Sequence, residues 1–206
     1  MREEPQRIAD RLEGTLRIPD APPRAIVVIA HPLPTHGGTM RNPVVAAIAR
    51  AVAHRGMLAL RFNFRGTGAS GGTWTDGADE PEDVADAVAH ARVLAPTLPL
   101  AVCGYSFGAV MTLRWLERGG RADDVALVGL PLLSVAFAPQ PLPAVPDDVF
   151  VVAAERDQFG PAAALRRAYP ELEVAAVPDV DHFFEGKRDA VGSLVVARFV
   201  RTFALA

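Results

Sequence analysis

The chain has 206 residues, 50% of them hydrophobic and 22% charged, a mixture that excludes a disordered or collagen-like protein. A chain of this length can bury about 70% of its unfolded surface, and the expectation is one domain spanning residues 1–206. Lysine and arginine number 21 against 24 acidic residues, a net charge of −3, so the basic footprint of a nucleic-acid-binding protein is absent.

One cysteine, Cys103, excludes an internal disulfide framework and a cysteine-rich zinc site. The opening Met1-Arg2-Glu3-Glu4-Pro5 lacks the apolar stretch of a signal peptide. No apolar run reaches the roughly 18 residues that a membrane helix needs. The expectation is a cytoplasmic protein with neither a membrane nor a nucleic-acid partner.

Short apolar runs then alternate with helical patterns along the chain. Ala25-Ile26-Val27-Val28-Ile29-Ala30 is the first run. Asn42-Pro43 opens a helical stretch over 44–54 that Gly56 stops, with a capping side chain, a proline in the first turn and a glycine at the end. A second run covers 57–62. Pro81-Glu82-Asp83 leads a helix over 84–94, its acids complementing the helix dipole. The run 98–102 passes through Cys103-Gly104-Tyr105-Ser106-Phe107-Gly108 into a helix over 107–117, ended by Gly119-Gly120. Strands over 125–130, 149–154 and 172–177 and helices over 161–168 and 190–203 complete the pattern.

Apolar runs this short, without alternation, suit strands buried on both faces. Their repetition with helices predicts an α/β fold, a mostly parallel central sheet with helices on both faces. Ligands of such sheets bind beyond the C-terminal ends of the strands.

Gly104-Tyr105-Ser106-Phe107-Gly108 is a G-x-S-x-G pattern between a strand and a helix. A serine on that turn is held in a strained conformation with its hydroxyl above the sheet, and the flanking glycines let helix and strand pass closely. A hydroxyl is a poor nucleophile until a base takes its proton, and the base needs a third group to orient it. Of the five histidines, His54 and His90 fall inside helices, and His31 and His36 flank the turn after the first run. His182, in Asp181-His182-Phe183 after the last strand, lies at the correct sheet end and is the candidate base. Asp157, just past the strand over 149–154, is the candidate acid. Glu155 competes with it, and Asp179 and Asp181 sit close to His182 in sequence.

Attack on a carbonyl needs N–H donors for the developing oxyanion. The backbone N–H of Phe107 is one candidate. The turn His31-Pro32-Leu33-Pro34-Thr35-His36-Gly37-Gly38 supplies the other. Its prolines have no N–H, which leaves Leu33, with Thr35 as the alternative. His31 and His36 with nearby acids offer a weaker metal-ligand reading; the main reading requires neither a metal nor a cofactor. A base that acts only when neutral implies activity that rises with pH as a histidine loses its proton.

These residues resemble the α/β-hydrolase superfamily, close to its small lidless, dienelactone-hydrolase-like members. The likeness is carried by His31-Pro32-Leu33-Pro34 with Gly37-Gly38-Thr39-Met40, by Asn63-Phe64-Arg65-Gly66-Thr67-Gly68-Ala69-Ser70-Gly71-Gly72, by Gly104-Tyr105-Ser106-Phe107-Gly108, and by Asp157 and His182 in that order. Dienelactone hydrolases proper carry a cysteine where Ser106 stands, and many relatives carry His-Gly where this chain has His31-Pro32. The resemblance implies that the turn at 65–72 lies beside the site; its glycines are those of tight turns. Trp74, Phe159 and Phe183 are available to line an acyl pocket, although aromatics at such positions ordinarily pack.

Relatives with a lid insert helices between late strands. Here the connection over 132–148 holds Pro139, Pro141, Pro143 and Pro146, which excludes a helical cap and implies an open, shallow pocket. The expected activity is hydrolysis of a small carboxylic ester or thioester by Ser106, with peptidase or acyltransferase use of the same residues as an alternative. A non-catalytic binding protein on the same fold is the reading from a different class.

Overall fold

The computed structural model describes residues 1–133 and 142–205. Strands β1 (Arg2–Ile8), β2 (Leu12–Ile18), β3 (Ile26–Ala30), β4 (Leu58–Phe62), β5 (Leu100–Tyr105), β6 (Asp124–Val128), β7 (Phe150–Ala154) and β8 (Glu173–Val177) form one sheet. Its order is β1-β2-β4-β3-β5-β6-β7-β8. From β4 to β8 every pairing is parallel; β1 with β2 and β2 with β4 are antiparallel. Among the described residues the α-helices α1 (Pro43–His54), α2 (Glu80–Leu94), α3 (Phe107–Glu117) and α4 (Ala162–Ala168) lie between strands, and α5 (Arg188–Thr202) follows β8.

Alternate residues of the central strands feed two cores. Ile26 and Val28 of β3 and Val102 of β5 pack with Val84 of α2, Val110 of α3 and Leu165 of α4. Val27 and Ile29, one register away, pack with Ile48 of α1 and Val195 and Phe199 of α5. Both faces of the parallel strands are therefore apolar, which is why their sequences read as continuous runs rather than alternations. The mostly parallel α/β-hydrolase sheet with helices on both faces is present.

The expected helix ends are in place. Asn42 Oδ1 accepts the Val44 N–H at 2.9 Å, and Gly56, at φ +74°, lets the chain leave α1. Helix α2 begins at Glu80, a turn before the acidic cluster suggested. Glu80 is buried and its carboxylate accepts the N–H groups of Thr75 and Gly77.

Two strands carried no apolar run. β1 is an exposed edge containing Pro5, a residue that argues against a central strand. β2 buries Leu12, Gly14 and Leu16 in strict alternation, and that period-two pattern was its signal. Between them, Ala9 and Asp10 sit at φ 47° and 54°, a left-handed pair usually announced by Asn-Gly. The hairpin also buttresses the loop after β4. Glu13 of β2 accepts both the Asn63 side-chain N–H at 2.7 Å and the Ala69 N–H at 2.8 Å.

Between β6 and β7 no helix occurs among the described residues; the part of the proline-bearing connection at 134–141, with Pro139 and Pro141, lies outside them. Among the described residues no helix is long and apolar enough to cross a membrane.

Candidate active site

Strands β3 and β5 are neighbours, and the chain leaves β3 for β4 on one side but leaves β5 for β6 on the other. That is the switch point where an open α/β sheet forms a crevice. The turn after β3 and the turn after β5 both open into it.

Ser106 follows β5 and precedes α3 with φ 54° and ψ −114°, a conformation that costs a non-glycine residue energy. The Ser106 N–H is tied to the Val128 carbonyl at 2.8 Å. The two glycines are sterically required. A Cβ on Gly104 would stand 2.3 Å from the Gly108 carbonyl oxygen, and one on Gly108 would stand 2.5 Å from that of Ala30. No side chain fits where α3 crosses β5 and β3.

His182 arrives from the loop after β8. Its Nδ1 lies 2.8 Å from Asp157 Oδ2 and its Nε2 lies 2.8 Å from Ser106 Oγ. A carboxylate only accepts, so Nδ1–H donates to Asp157, and Nε2 is left to accept from the serine hydroxyl. Asp157 is fixed from behind, its Oδ1 accepting the N–H groups of Phe159 at 2.8 Å and Gly160 at 3.1 Å. All three side chains are buried. Glu155, the competing acid, instead accepts the Asp179 N–H at 3.1 Å on the exposed side. Such a chain of bonds lets a hydroxyl pass its proton to the imidazole as its oxygen attacks.

Three residues that hold His182 escaped sequence reasoning. Gly129, at φ 55°, ends β6, and a Cβ there would lie 3.1 Å from His182 Cε1. Gly160 bends the Asp157 loop so tightly that a Cβ would meet the Leu130 carbonyl oxygen at 2.0 Å. Tyr105 donates its buried hydroxyl to the His182 carbonyl at 3.0 Å, and the two rings stack with centroids 5.7 Å apart. Removing that hydroxyl leaves a buried carbonyl without its donor, so Tyr105→Phe is expected to lower stability by about 1 kcal/mol. Urea melts of the two proteins check this; identical midpoints would show that the bond contributes nothing.

The turn after β3 folds back on itself. Leu33 precedes a short 3-10 turn, Pro34–His36, and its carbonyl accepts the N–H groups of His36 at 3.2 Å and Gly38 at 3.0 Å. Gly38 runs against the start of the turn, where a Cβ would stand 2.1 Å from the Pro32 carbonyl oxygen. With its carbonyl so engaged, the Leu33 peptide is fixed; its N–H has no acceptor among the described residues. Phe107, directly after Ser106, is the first residue of α3. Thr35 Oγ1 is bonded to His36 Nδ1 at 3.2 Å.

His31 anchors this turn from below. Its Nε2 accepts the Phe64 N–H at 3.1 Å, so Nδ1 carries the proton and donates to the Pro32 carbonyl at 2.6 Å. Burial pushes its pKa down to about 4, and the ring stays neutral. Both nitrogens are committed to backbone, so His31 is a strut rather than a metal ligand. Among the described residues no group of three or more His, Cys, Asp or Glu side chains is placed to hold a metal ion. Asn63, in the loop after β4, accepts the Met40 N–H at 2.8 Å and so stitches the two loops together.

Ser106 opens into a cavity of about 270 Å³, lined in part by Leu33, Trp74, Tyr105, Phe159 and Phe183. All three aromatics that the sequence left unassigned border it. A larger hollow of about 730 Å³ between α1 and α5 contains Ser193 and His54, but the Ser193 hydroxyl donates to the Asp189 carbonyl of its own helix at 2.9 Å.

A buried serine on a strained strand-to-helix turn of this sheet, bonded to a histidine from beyond the last strand, marks an α/β serine hydrolase. The family model described as "Serine aminopeptidase, S33" matches residues 21–184, and the chain belongs to that family. An α/β serine hydrolase without a lid from Xanthomonas campestris is 26% identical and superposes with a TM-score of 0.82, over 97% of this chain and 94% of its own. A serine hydrolase homologue from Coxiella burnetii is 25% identical with a TM-score of 0.79, each chain covered to 96%. A curated protein of Rickettsia prowazekii, described as uncharacterized, is 26% identical over 193 residues, 87% of this chain and 80% of its own.

Proposed function

We propose that the protein hydrolyses a small carboxylic ester or thioester through an acyl-enzyme on Ser106. The observation that carries this is the unbroken Ser106–His182–Asp157 chain of bonds, each 2.8 Å, at the mouth of an apolar cavity. Ser106 Oγ attacks the acyl carbon while His182 Nε2 takes its proton. Asp157 holds the imidazole and stabilises its cationic form. The N–H groups of Leu33 and Phe107 receive the oxyanion. His182 then protonates the leaving alcohol or thiol, and water, activated by the same histidine, releases the acid.

The acyl group accommodated is short, because a 270 Å³ cavity lies near the small end of the range for ligand pockets. A peptidase reading draws on the family's description, since amides pass through the same intermediates. A fluorophosphonate probe tests the nucleophile. The wild type is expected to be labelled and Ser106→Ala is not; a folded wild type that resists labelling supports a binding protein. A panel of short-chain p-nitrophenyl esters, thioesters and aminoacyl amides then separates the chemistries, with esters and thioesters expected to turn over faster. Turnover confined to amides or to emulsified long-chain triglycerides would overturn the assignment.

A further inference from the structure

The charged groups around Ser106 are distributed unevenly. Among the described residues that line its cavity, the side chains able to carry charge are His36, Asp76 and His182; no lysine or arginine is among them. His182 is held between Ser106 and Asp157. Asp76 is exposed, and no hydrogen bond or ion pair engages its carboxylate among the described residues.

The neighbouring acids are otherwise occupied. Asp79 pairs with Arg65 at 3.2 Å. Glu80 is buried and accepts the N–H groups of Thr75 and Gly77. Two guanidiniums hold the backbone of this loop, Arg114 donating to the Gly77 carbonyl and Arg118 to the Ala78 carbonyl, each at 2.7 Å, and neither lines the cavity. Asp76 is thus the one carboxylate on the described wall of the cavity. Aromatic side chains line much of the rest. Trp74, Tyr105, Phe159 and Phe183 share the cavity, and Phe183 is 56% exposed at its mouth. Ring faces attract cations, above all the weakly hydrated alkylammonium kind. Rings beside an unneutralised carboxylate make a cation acceptor and repel anionic substrates.

We propose that the Ser106 cavity selects esters that carry an alkylammonium group, with Asp76 as the charge-selecting residue. This rests on ester hydrolysis at Ser106. The ammonium takes no part in bond making; it docks beside Asp76 and the rings while the acyl carbon is attacked.

The test is a matched pair of p-nitrophenyl esters. One acid ends in a trimethylammonium group, and the other has carbon in place of that nitrogen. At a solvated rim one unit charge at contact distance is worth about 1 kcal/mol, so the wild type is expected to prefer the cationic ester in kcat/KM by about five-fold. Asp76→Asn keeps a residue that tolerates the left-handed φ of 56°, and is expected to bring the ratio close to one. Asp76→Glu is expected to retain part of the preference. In the wild type, added salt is expected to shrink the ratio, as it does for exposed charges. A ratio that Asp76→Asn and salt both leave unmoved overturns the inference, as does a wild-type preference for the neutral ester. If neither ester turns over and the fluorophosphonate fails to label Ser106, it is the ester reading that has failed.

Discussion

Replacing Ser106 by alanine is expected to lower kcat/KM for a short-chain ester by at least about 10,000-fold, and His182→Ala by a similar factor. The double variant should lose little more than either single one. A base without its nucleophile, or a nucleophile without its base, leaves only the binding and oxyanion contributions, and removing the second partner takes nothing further away. Asp157→Asn tests the third member in a different way. The Asn side-chain oxygen would keep the N–H groups of Phe159 and Gly160 that now bond Asp157 Oδ1. Its amide would then face His182 Nδ1 with a donor. The imidazole would turn to the tautomer protonated on Nε2, which cannot accept from Ser106. The expected loss is again about 10,000-fold, with the fold intact. Initial rates normalised to folded protein measure all four variants. A Ser106→Ala protein that retains a tenth of wild-type activity, or a double variant whose loss equals the product of the singles, would show that these residues do not act as a unit. Circular dichroism guards against a trivial failure, because the residue that replaces Ser106 must also adopt its left-handed φ of 54°.

How much of this was legible in the sequence depends on how local the determining physics is. Strands buried on both faces announce themselves in composition alone, so every predicted parallel strand is present with small shifts at its ends. Ser106 was legible because its turn needs glycine at Gly104 and Gly108, where contacts of 2.3 and 2.5 Å forbid a Cβ. Asp157 and His182 could be inferred because both follow strands directly. The supports of the site were not legible, because they depend on contacts between distant segments. Gly129 looks like the end of a strand until the imidazole beside it is seen, and Tyr105 looks like filler in the serine motif until its hydroxyl meets the His182 carbonyl. The hairpin of β1 and β2 hid for a different reason. Its outer strand is polar and holds Pro5, its turn is Ala9-Asp10, and only the alternation in β2 carried information.

His31 shows the same limit and makes a second strong expectation possible. From sequence it was a histidine flanking the turn after the first apolar run, with metal binding only a weaker reading. In the fold, both nitrogens hold backbone groups, one from the turn after β3 and one from the loop after β4, and burial keeps the ring neutral down to about pH 4. In the unfolded chain the same side chain takes up its proton near pH 6.5. Between those values the unfolded state binds the extra proton and the folded state does not. Stability from this group is therefore full above about pH 6.5, falls as the pH falls, and loses about 3 kcal/mol by pH 4, below which it changes no further. Urea midpoints measured across that window are expected to fall in the wild type. In His31→Gln the titrating group is gone, so its midpoint should be lower near neutrality and fall less steeply toward pH 4, the remaining slope including that of His90, whose pKa burial also lowers. Equal slopes in the two proteins would mean that His31 exchanges protons as freely folded as unfolded. The turn that presents the Leu33 N–H would then lack the neutral strut assigned to it.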